Sequence, residues 1–303
     1  TLPSIFPNLL CNPNSGIGVA MACNWACHNL REVEAAILAY MNGEEPMLPG
    51  PDFPTGGIII NKNDIPGIMK TGRGSVQIRA KYEIKKNLIS ITEIPYGTTV
   101  EGLLEEIGKY CEENDKCGIS DIADHTSNKG VKIDIECEKT ANPDVIMQKL
   151  FAKTNLQNSF SYNQVALIDK VPTEMNLTDC CRVYVDHNIE CITRETQFDL
   201  SKAKDRLHIV EGLLIALEDI DNVIQLIKKS ESSSAAKVNL MNKYKLSEDQ
   251  AKAILDMKLS RLAKLEKVEL ENEKKELVDK IADLEDILAK EDRQKEILKK
   301  RLA

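Results

Sequence analysis

Between Lys70 and Lys81 the chain reads KTGRGSVQIRAK, with Lys70, Arg73, Arg79 and Lys81 set around Gly72 and Gly74. Lysine and arginine donate charge-assisted hydrogen bonds to phosphate, and glycine lets backbone approach a ligand closely. Such a segment suits an anionic ligand, and it equally suits the solvated edge of a hairpin. Other candidate chemistry is weaker. Cys23 and Cys27 stand four apart with His28 beside them, too few ligands for a structural zinc, which takes four. His28 reads as a packed or turn-capping histidine. His125, His187 and His208 have no partner at catalytic spacing, and Asp121, Asp124 and Asp134 make no convincing metal set. No G-x-x-x-x-G-K-[ST] phosphate loop is present, so the sequence offers no ATP site of that kind.

The elements that must position these side chains follow from periodicity. SVQIRAKYEI and LISITEI read as two strands joined at Lys85-Lys86-Asn87, with Val76, Ile78, Ala80 and Tyr82 on one face and Gln77, Arg79, Lys81 and Glu83 on the other. GGIIIN from Gly56 is a short strand, and VKIDIEC at 131–137 alternates again. Helices are expected from about Thr99 to Glu113, capped by Thr98 or Thr99, and from Pro143 to about Lys153. Near the start, PNLLCNPNSGIGVAMACNWACHNL carries no charge, yet its asparagines, prolines and glycines exclude a membrane span. Ser15 is expected to cap a short helix from Ile17 to just before His28.

From Asp179 the pattern turns helical, through Phe198, Leu207, Val210, Leu214, Leu217, Ile220 and Ile224 to about Lys229. A small helical patch follows from Ala235 to Leu265, with Ser247 and Gln250 placed as a capping box. Leu270, Leu277, Ile281, Leu284, Leu288, Leu298 and Leu302 then form a heptad seam. Its simplest partner is the upstream helix, giving an antiparallel coiled coil.

Composition agrees with this plan. The 303 residues exceed what one small core organises, and 4% aromatic content beside 29% charge favours long solvated helices. Nine cysteines, an odd number with Cys180 and Cys181 adjacent, point to reduced thiols in a cytoplasmic setting. The net charge of −8 opposes polyanion binding on average. However, acid gathers in helices such as 101–115 and 266–296, while 62–86 holds an excess of lysine and arginine.

The run Pro7-Asn8-Leu9-Leu10, Asn12, Ser15-Gly16-Ile17, Val19, Met21-Ala22, Asn24 and His28-Asn29 resembles the A subunit of bacterial type IIA DNA topoisomerases, gyrase and topoisomerase IV. PGPDFPTGG ending at Gly57, TGRGSVQIRA at 71–80, EIPY at 93–96, KTNLQNSFSYNQVAL at 153–167 and QAKAILDMKLSRL at 250–262 are similar to family blocks in family order. The chain departs at Ala26 and Cys27, where the family carries two prolines.

The resemblance implies an α+β fold: a mixed-sheet tower domain followed by an antiparallel coiled coil that carries a small all-α dimerisation patch, the exit gate. Residues 1–30 would be the tail of the DNA-gate region, 31–178 the tower, and 179–303 the coiled coil with its patch at about 231–265. The implied activity is ATP-dependent double-strand passage. In this reading the segment is internal to a longer polypeptide. None of its seven tyrosines lies in a block like the family's nucleophile, so no catalytic residue is expected in this stretch. By resemblance Ile17 wedges between base pairs and Lys70, Arg73, Arg79 and Lys81 hold the duplex; Asn8, Asn12, Ser15 and Asn24 are either phosphate donors or ordinary turn residues, and Leu255, Met257, Leu259, Leu262 and Leu265 are either a two-fold contact or plain core. Implied partners are double-stranded DNA, a second copy of the chain and a B subunit, as an A2B2 assembly that brings ATP and Mg2+. The competing class is a non-enzymatic DNA clamp or coiled-coil dimerisation protein on the same scaffold.

Overall fold

The computed structural model describes residues 4, 6–19, 21–114, 116–128, 130–257 and 264–302, with backbone alone at 264–266. It is α+β and divides into two units, the first running to Asp186 and the second from His187 to Arg301.

The first unit begins with a single helical turn, α1 (Asn8–Cys11), then a hairpin of β1 (Asn14–Gly18) and β2 (Met21–Trp25). This hairpin replaces the helix expected from Ile17. Its sequence offers two glycines and β-branched Ile17 and Val19, which are poor helix formers, and its side-chain partners lie on a neighbouring strand. Asn24 donates to the Ser161 carbonyl and Asn163 to the Ala22 carbonyl, both at 2.6 Å. Helix α2 (Leu30–Met41) follows, capped by Asn29, whose side chain accepts from the Arg31 N–H.

β3 (Ile58–Ile59) and α3 (Ile65–Thr71) lead into β4 (Arg73–Arg79). The glycines of TGRG serve this corner. Gly72 ends α3 at φ +74°, and a Cβ there would meet the Met175 carbonyl oxygen at 2.3 Å, while one on Gly74 would meet Ile68 at 2.5 Å. Both positions are glycine because backbone and helix pack there.

The stretch SVQIRAKYEI is not one strand. It leaves one sheet at Arg79, passes through fully buried Ala80, and enters another as β5 (Lys81–Lys85). β5 continues through β6 (Leu88–Glu93), α4 (Val100–Glu113), β7 (Ile119–Asp124), β8 (Ile133–Cys137) and α5 (Pro143–Lys153). Thr99 caps α4 and Asn142 caps α5 through their side chains. The four strands order as β5-β6-β8-β7. Ile89, Ile91, Ile133 and Ile135 meet Leu103 and Ile107 of α4 and Ile146, Met147 and Leu150 of α5. Each such buried side chain contributes about 1.5–3 kcal/mol.

β9 (Gln157–Asn163) returns to the first sheet, which orders as β1-β2-β9-β4-β3, and β10 (Val165–Ile168) with β11 (Val171–Glu174) forms a separate hairpin. Every pairing among these strands is antiparallel, where a mixed sheet was expected, because each pair of adjacent strands runs in opposite directions.

In the second unit, α6 (Leu177–Glu218), which starts in the first, lies antiparallel to α10 (Lys264–Ala289) and α11 (Glu291–Leu302). The ion pairs fix the direction: Glu195 with Arg301, Lys204 with Glu285, Arg206 with Glu273 and Glu211 with Lys274, one number rising as the other falls. The α6 seam buries Ile192, Thr196, Ala203, Val210 and Leu213. Phe198, expected on that face, is 58% exposed beneath the Lys202 ammonium. Opposite, Ile287 and Gln294 join Leu270, Leu284 and Leu298 in the buried seam. α7 (Ile220–Lys229), α8 (Ser233–Tyr244) and α9 (Glu248–Leu255) form the helical patch, and Ser247 and Gln250 make the expected capping box. No described helix is long and apolar enough to cross a membrane.

Candidate nucleic-acid interface

One face of the five-stranded sheet is lined with polar side chains. In an antiparallel pair, directly opposed residues share a face. Arg73 opposes Asn163, Ser75 opposes Ser161, Gln77 opposes Ser159 and Arg79 opposes Gln157. The row continues across Asn24, which opposes both Asn163 and Ser15, to Ile17 opposite Ala22. The other face of β4 and β9 buries Val76, Ile78, Phe160 and Tyr162, and Phe160 packs against Phe53, 5.1 Å between centroids. Burial on one side thus fixes which side chains stand outward. Neither β4 nor β9 contains an acidic residue.

The sheet ends in an apolar prow. Ile17 is 97% exposed and Val19 fully so, with Met21 beside them half exposed. Three apolar side chains together at a hairpin end present a surface that gains by meeting a non-aqueous partner.

The cations differ in their state. Arg79 is held in place without a carboxylate: its guanidinium stacks 4.5 Å from the Phe151 ring, and its Nε and Nη2 donate to Gln157 Oε1 at 3.0 and 2.8 Å. Arg73 is ion-paired with Glu174. Lys81 lies on the other sheet and donates to Glu93 Oε1 at 2.9 Å, while Glu93 Oε2 accepts from the Gly57 N–H at 2.7 Å. Those two donors, Lys81 first, hold the Glu93 carboxyl below its ordinary range. Lys70 is on α3, 3.3 Å from Glu45. The expected continuous basic face is therefore split between two sheets and a helix, and three of its four cations carry an internal counter-ion. Asn8 and Asn12 are exposed around α1, where the Asn12 amide donates to the Asn8 side chain.

Sequence reasoning put Gln77 on the outward face of its strand but missed Ser75, Gln157, Ser159, Ser161 and Asn163. The alternation of QNSFSYN held the signal, but only its pairing with RGSVQIR makes a surface of it.

The remaining candidates resolve as structure. Cys27 donates to the Asp52 carbonyl at 3.1 Å, and burial pushes its thiol pKa up. His28 is buried, its Nδ1 is 2.9 Å from the Leu10 carbonyl, and burial lowers its pKa. Asp134 accepts from Ser90 at 2.6 Å and pairs with Lys132. Among the described residues no three His, Cys, Asp or Glu side chains are grouped to hold a metal ion. Of the expected two-fold contact, Leu255 and Met257 are partly buried against the patch core around Leu240, Ala251 and Ile254. Leu259 and Leu262 lie outside the described residues, as does the side chain of Leu265.

Residues 1–303 match the family of the DNA gyrase/topoisomerase IV A subunit. The chain is 44% identical to the DNA gyrase A subunit of Clostridium acetobutylicum over 96% of its own length and 37% of that protein. For the counterpart from Ureaplasma parvum the figures are 43%, 98% and 37%, and for that from Streptococcus pneumoniae 40%, 99% and 38%. The chain thus spans little more than a third of these relatives.

Proposed function

The chain belongs to the DNA gyrase/topoisomerase IV A-subunit family, and on that premise we propose that it grips and bends the DNA duplex on which a type II topoisomerase acts. The observation that carries this reading is the acid-free sheet face of Arg73, Ser75, Gln77, Arg79, Gln157, Ser159, Ser161 and Asn163, running toward exposed Ile17. Serine, asparagine, glutamine and arginine are donors to phosphate and sugar, which position a duplex without reading its sequence. Ile17, Val19 and Met21 supply an apolar wedge; inserted at a base step, such a wedge unstacks it and holds a bend.

In this reading Arg79 is the primary phosphate contact, because it is already oriented and no carboxylate competes for it. Arg73, Lys70 and Lys81 contribute once phosphate displaces or shares their internal partners. Asn8, Asn12 and Ser15 are donors along the approach to the wedge. The coiled coil of the second unit carries the helical patch, and Leu255 and Met257 begin a two-fold contact between copies of the chain, the exit gate. Strand cleavage, Mg2+ and ATP enter through other parts of the assembly, with a gyrase-type B subunit as partner and cytoplasm as setting.

The test is duplex binding in low salt. Arg73→Glu with Arg79→Glu is expected to weaken it and to flatten its salt dependence; unchanged affinity would remove the sheet face from the interface.

A further inference from the structure

The second unit carries a basic surface inside an acidic protein. Residues 222–246 hold five lysines against one glutamate, in a chain whose net charge is −8. They fold as α7 and α8, a helical hairpin pinned by side chains at both ends. At one end the Tyr244 hydroxyl donates to Asp219 at 2.8 Å, and at the other the Asn239 amide donates to the Ser230 hydroxyl at 3.1 Å. One number rises as the other falls, so the two helices run antiparallel. Between them lies a hollow of about 560 Å³. α7 lines it with Asn222, Gln225 and Lys229 and α8 with Asn239, Asn242 and Lys243, each set at the three- and four-residue spacing that shares a helix face. All six are exposed. Among the described residues, Leu226 is the one apolar side chain in the lining and no carboxylate belongs to it. Asp219, beside the hollow, is taken by Tyr244 and by Asn222, which donates to it at 2.7 Å. Among the described residues Lys228, Lys229 and Lys243 make no ion pair, whereas Lys237 on α8 is held by Glu248 at 2.6 Å.

We propose that this hollow is a second nucleic-acid contact, which takes the phosphate backbone of a duplex through Lys229 and Lys243. It lies wholly in the second unit and does not rest on the sheet face of the first. Ammonium and amide groups donate to phosphate and sugar and so position a duplex without reading its bases. From Asn222 to Lys229 the helix rises about 10 Å, the axial length of about three phosphates on one strand. The helix dipole favours lysine in the last turn of α7, where Lys228 and Lys229 stand. It does not account for Lys243 or for four amides facing the same space. A protein partner is held chiefly by large side chains seated in well-packed, desolvated pockets, and an open lining with Leu226 alone offers none. Donors free of acid and nearly free of apolar surface fit a polyanion.

The probe is a labelled duplex, titrated over about 50–200 mM salt. It is titrated against the wild-type chain and the sheet variant Arg73→Glu with Arg79→Glu, each with and without Lys229→Gln plus Lys243→Gln. The sheet variant is expected to retain salt-dependent binding. The hollow pair is expected to flatten its slope by about 1.8, which at 0.1 M salt is about a sixtyfold loss relative to 1 M. Lys275→Gln with Lys280→Gln, exposed lysines near Glu276 and Asp279 on α10, is expected to leave the slope unchanged. A slope unmoved by the hollow pair, an equal loss from the α10 pair, or no residual binding by the sheet variant would overturn the proposal. Polyglutamate is titrated in parallel; loss of its binding alone, with duplex binding intact, would assign the hollow to an acidic protein and overturn the proposal as well. If the sheet variant binds as the wild type does while the hollow pair weakens both, the sheet reading fails and this one stands.

Discussion

The different states of Arg73 and Arg79 lead to a prediction that separates them. Neutralising a cation that contacts phosphate removes about 0.9 from the slope of log affinity against log salt, which at 0.1 M salt amounts to about an eightfold loss relative to 1 M. Arg79 has a neutral partner, Gln157, and an aromatic one, Phe151, so Arg79→Gln is expected to show that full loss. Arg73 and Glu174 already cancel one another. Removing both charges, as Arg73→Gln with Glu174→Gln, leaves the local field nearly unchanged and is expected to alter affinity by less than about twofold. Arg73→Gln alone leaves Glu174 facing the duplex and is expected to cost more than the double variant. The assay is fluorescence anisotropy of a labelled duplex over about 50–200 mM salt, from which the slope is read. Arg79→Gln also forfeits its stacking on Phe151, about 0.5–1 kcal/mol, so melting curves accompany each titration. If the double neutralisation loses as much affinity as Arg79→Gln, the counter-ion reasoning is wrong and Arg73 meets phosphate free of Glu174.

Three further outcomes are expected. Ile17→Ala should leave the urea midpoint within experimental error, because Ile17 is 97% exposed, while reducing the bend of a bound duplex measured by end-to-end energy transfer; an unchanged bend would put the wedge elsewhere. His28 is held neutral by burial, whereas the unfolded chain takes up a proton near about pH 6.5. Its contribution to stability is therefore complete above that pH and falls away as acid approaches the lower folded value. Urea unfolding followed by fluorescence of Trp25, the sole tryptophan, should show a loss between about pH 7.5 and 5.5 that His28→Gln flattens, and parallel pH profiles would refute the assignment. Met257→Asp should shift a dimer toward monomer in sedimentation equilibrium, and an unaffected dimer would place the contact on other residues.

The elements with clean signals were legible. α5 starts at Pro143 and α4 after Thr99, as the fixed φ of proline and the side-chain cap require, and the Ser247–Gln250 box forms as spaced. The failures share a cause. Ile17–Trp25 has no decisive period of its own, and its conformation is set by Asn163 and Ser161, residues far along the chain. Likewise Arg73–Lys85 alternates without a break, and nothing in that alternation marks where buried Ala80 hands the strand from one sheet to the next. Phe198 kept the helical spacing but is exposed, while the smaller Thr196 and Ala203 are buried on α6. At the candidate interface, the charged residues were visible singly. Their carboxylate partners, Glu174, Glu93 and Glu45, were not, because each pairing is made by the fold rather than by sequence proximity.

The passage through Ala80 has a mechanical meaning. If a duplex held as proposed puts tension on β4 along its length, the absence of a loop between Arg79 and Lys81 leaves no slack to take it up. Load applied along a strand falls on its ladder of hydrogen bonds side by side, so they yield together instead of unzipping one at a time. β4 is braced in this way against β9 and β5 against β6. The segment that would carry the arginines is also the tie-rod between two sheets, and tension on one is shared at once by the other.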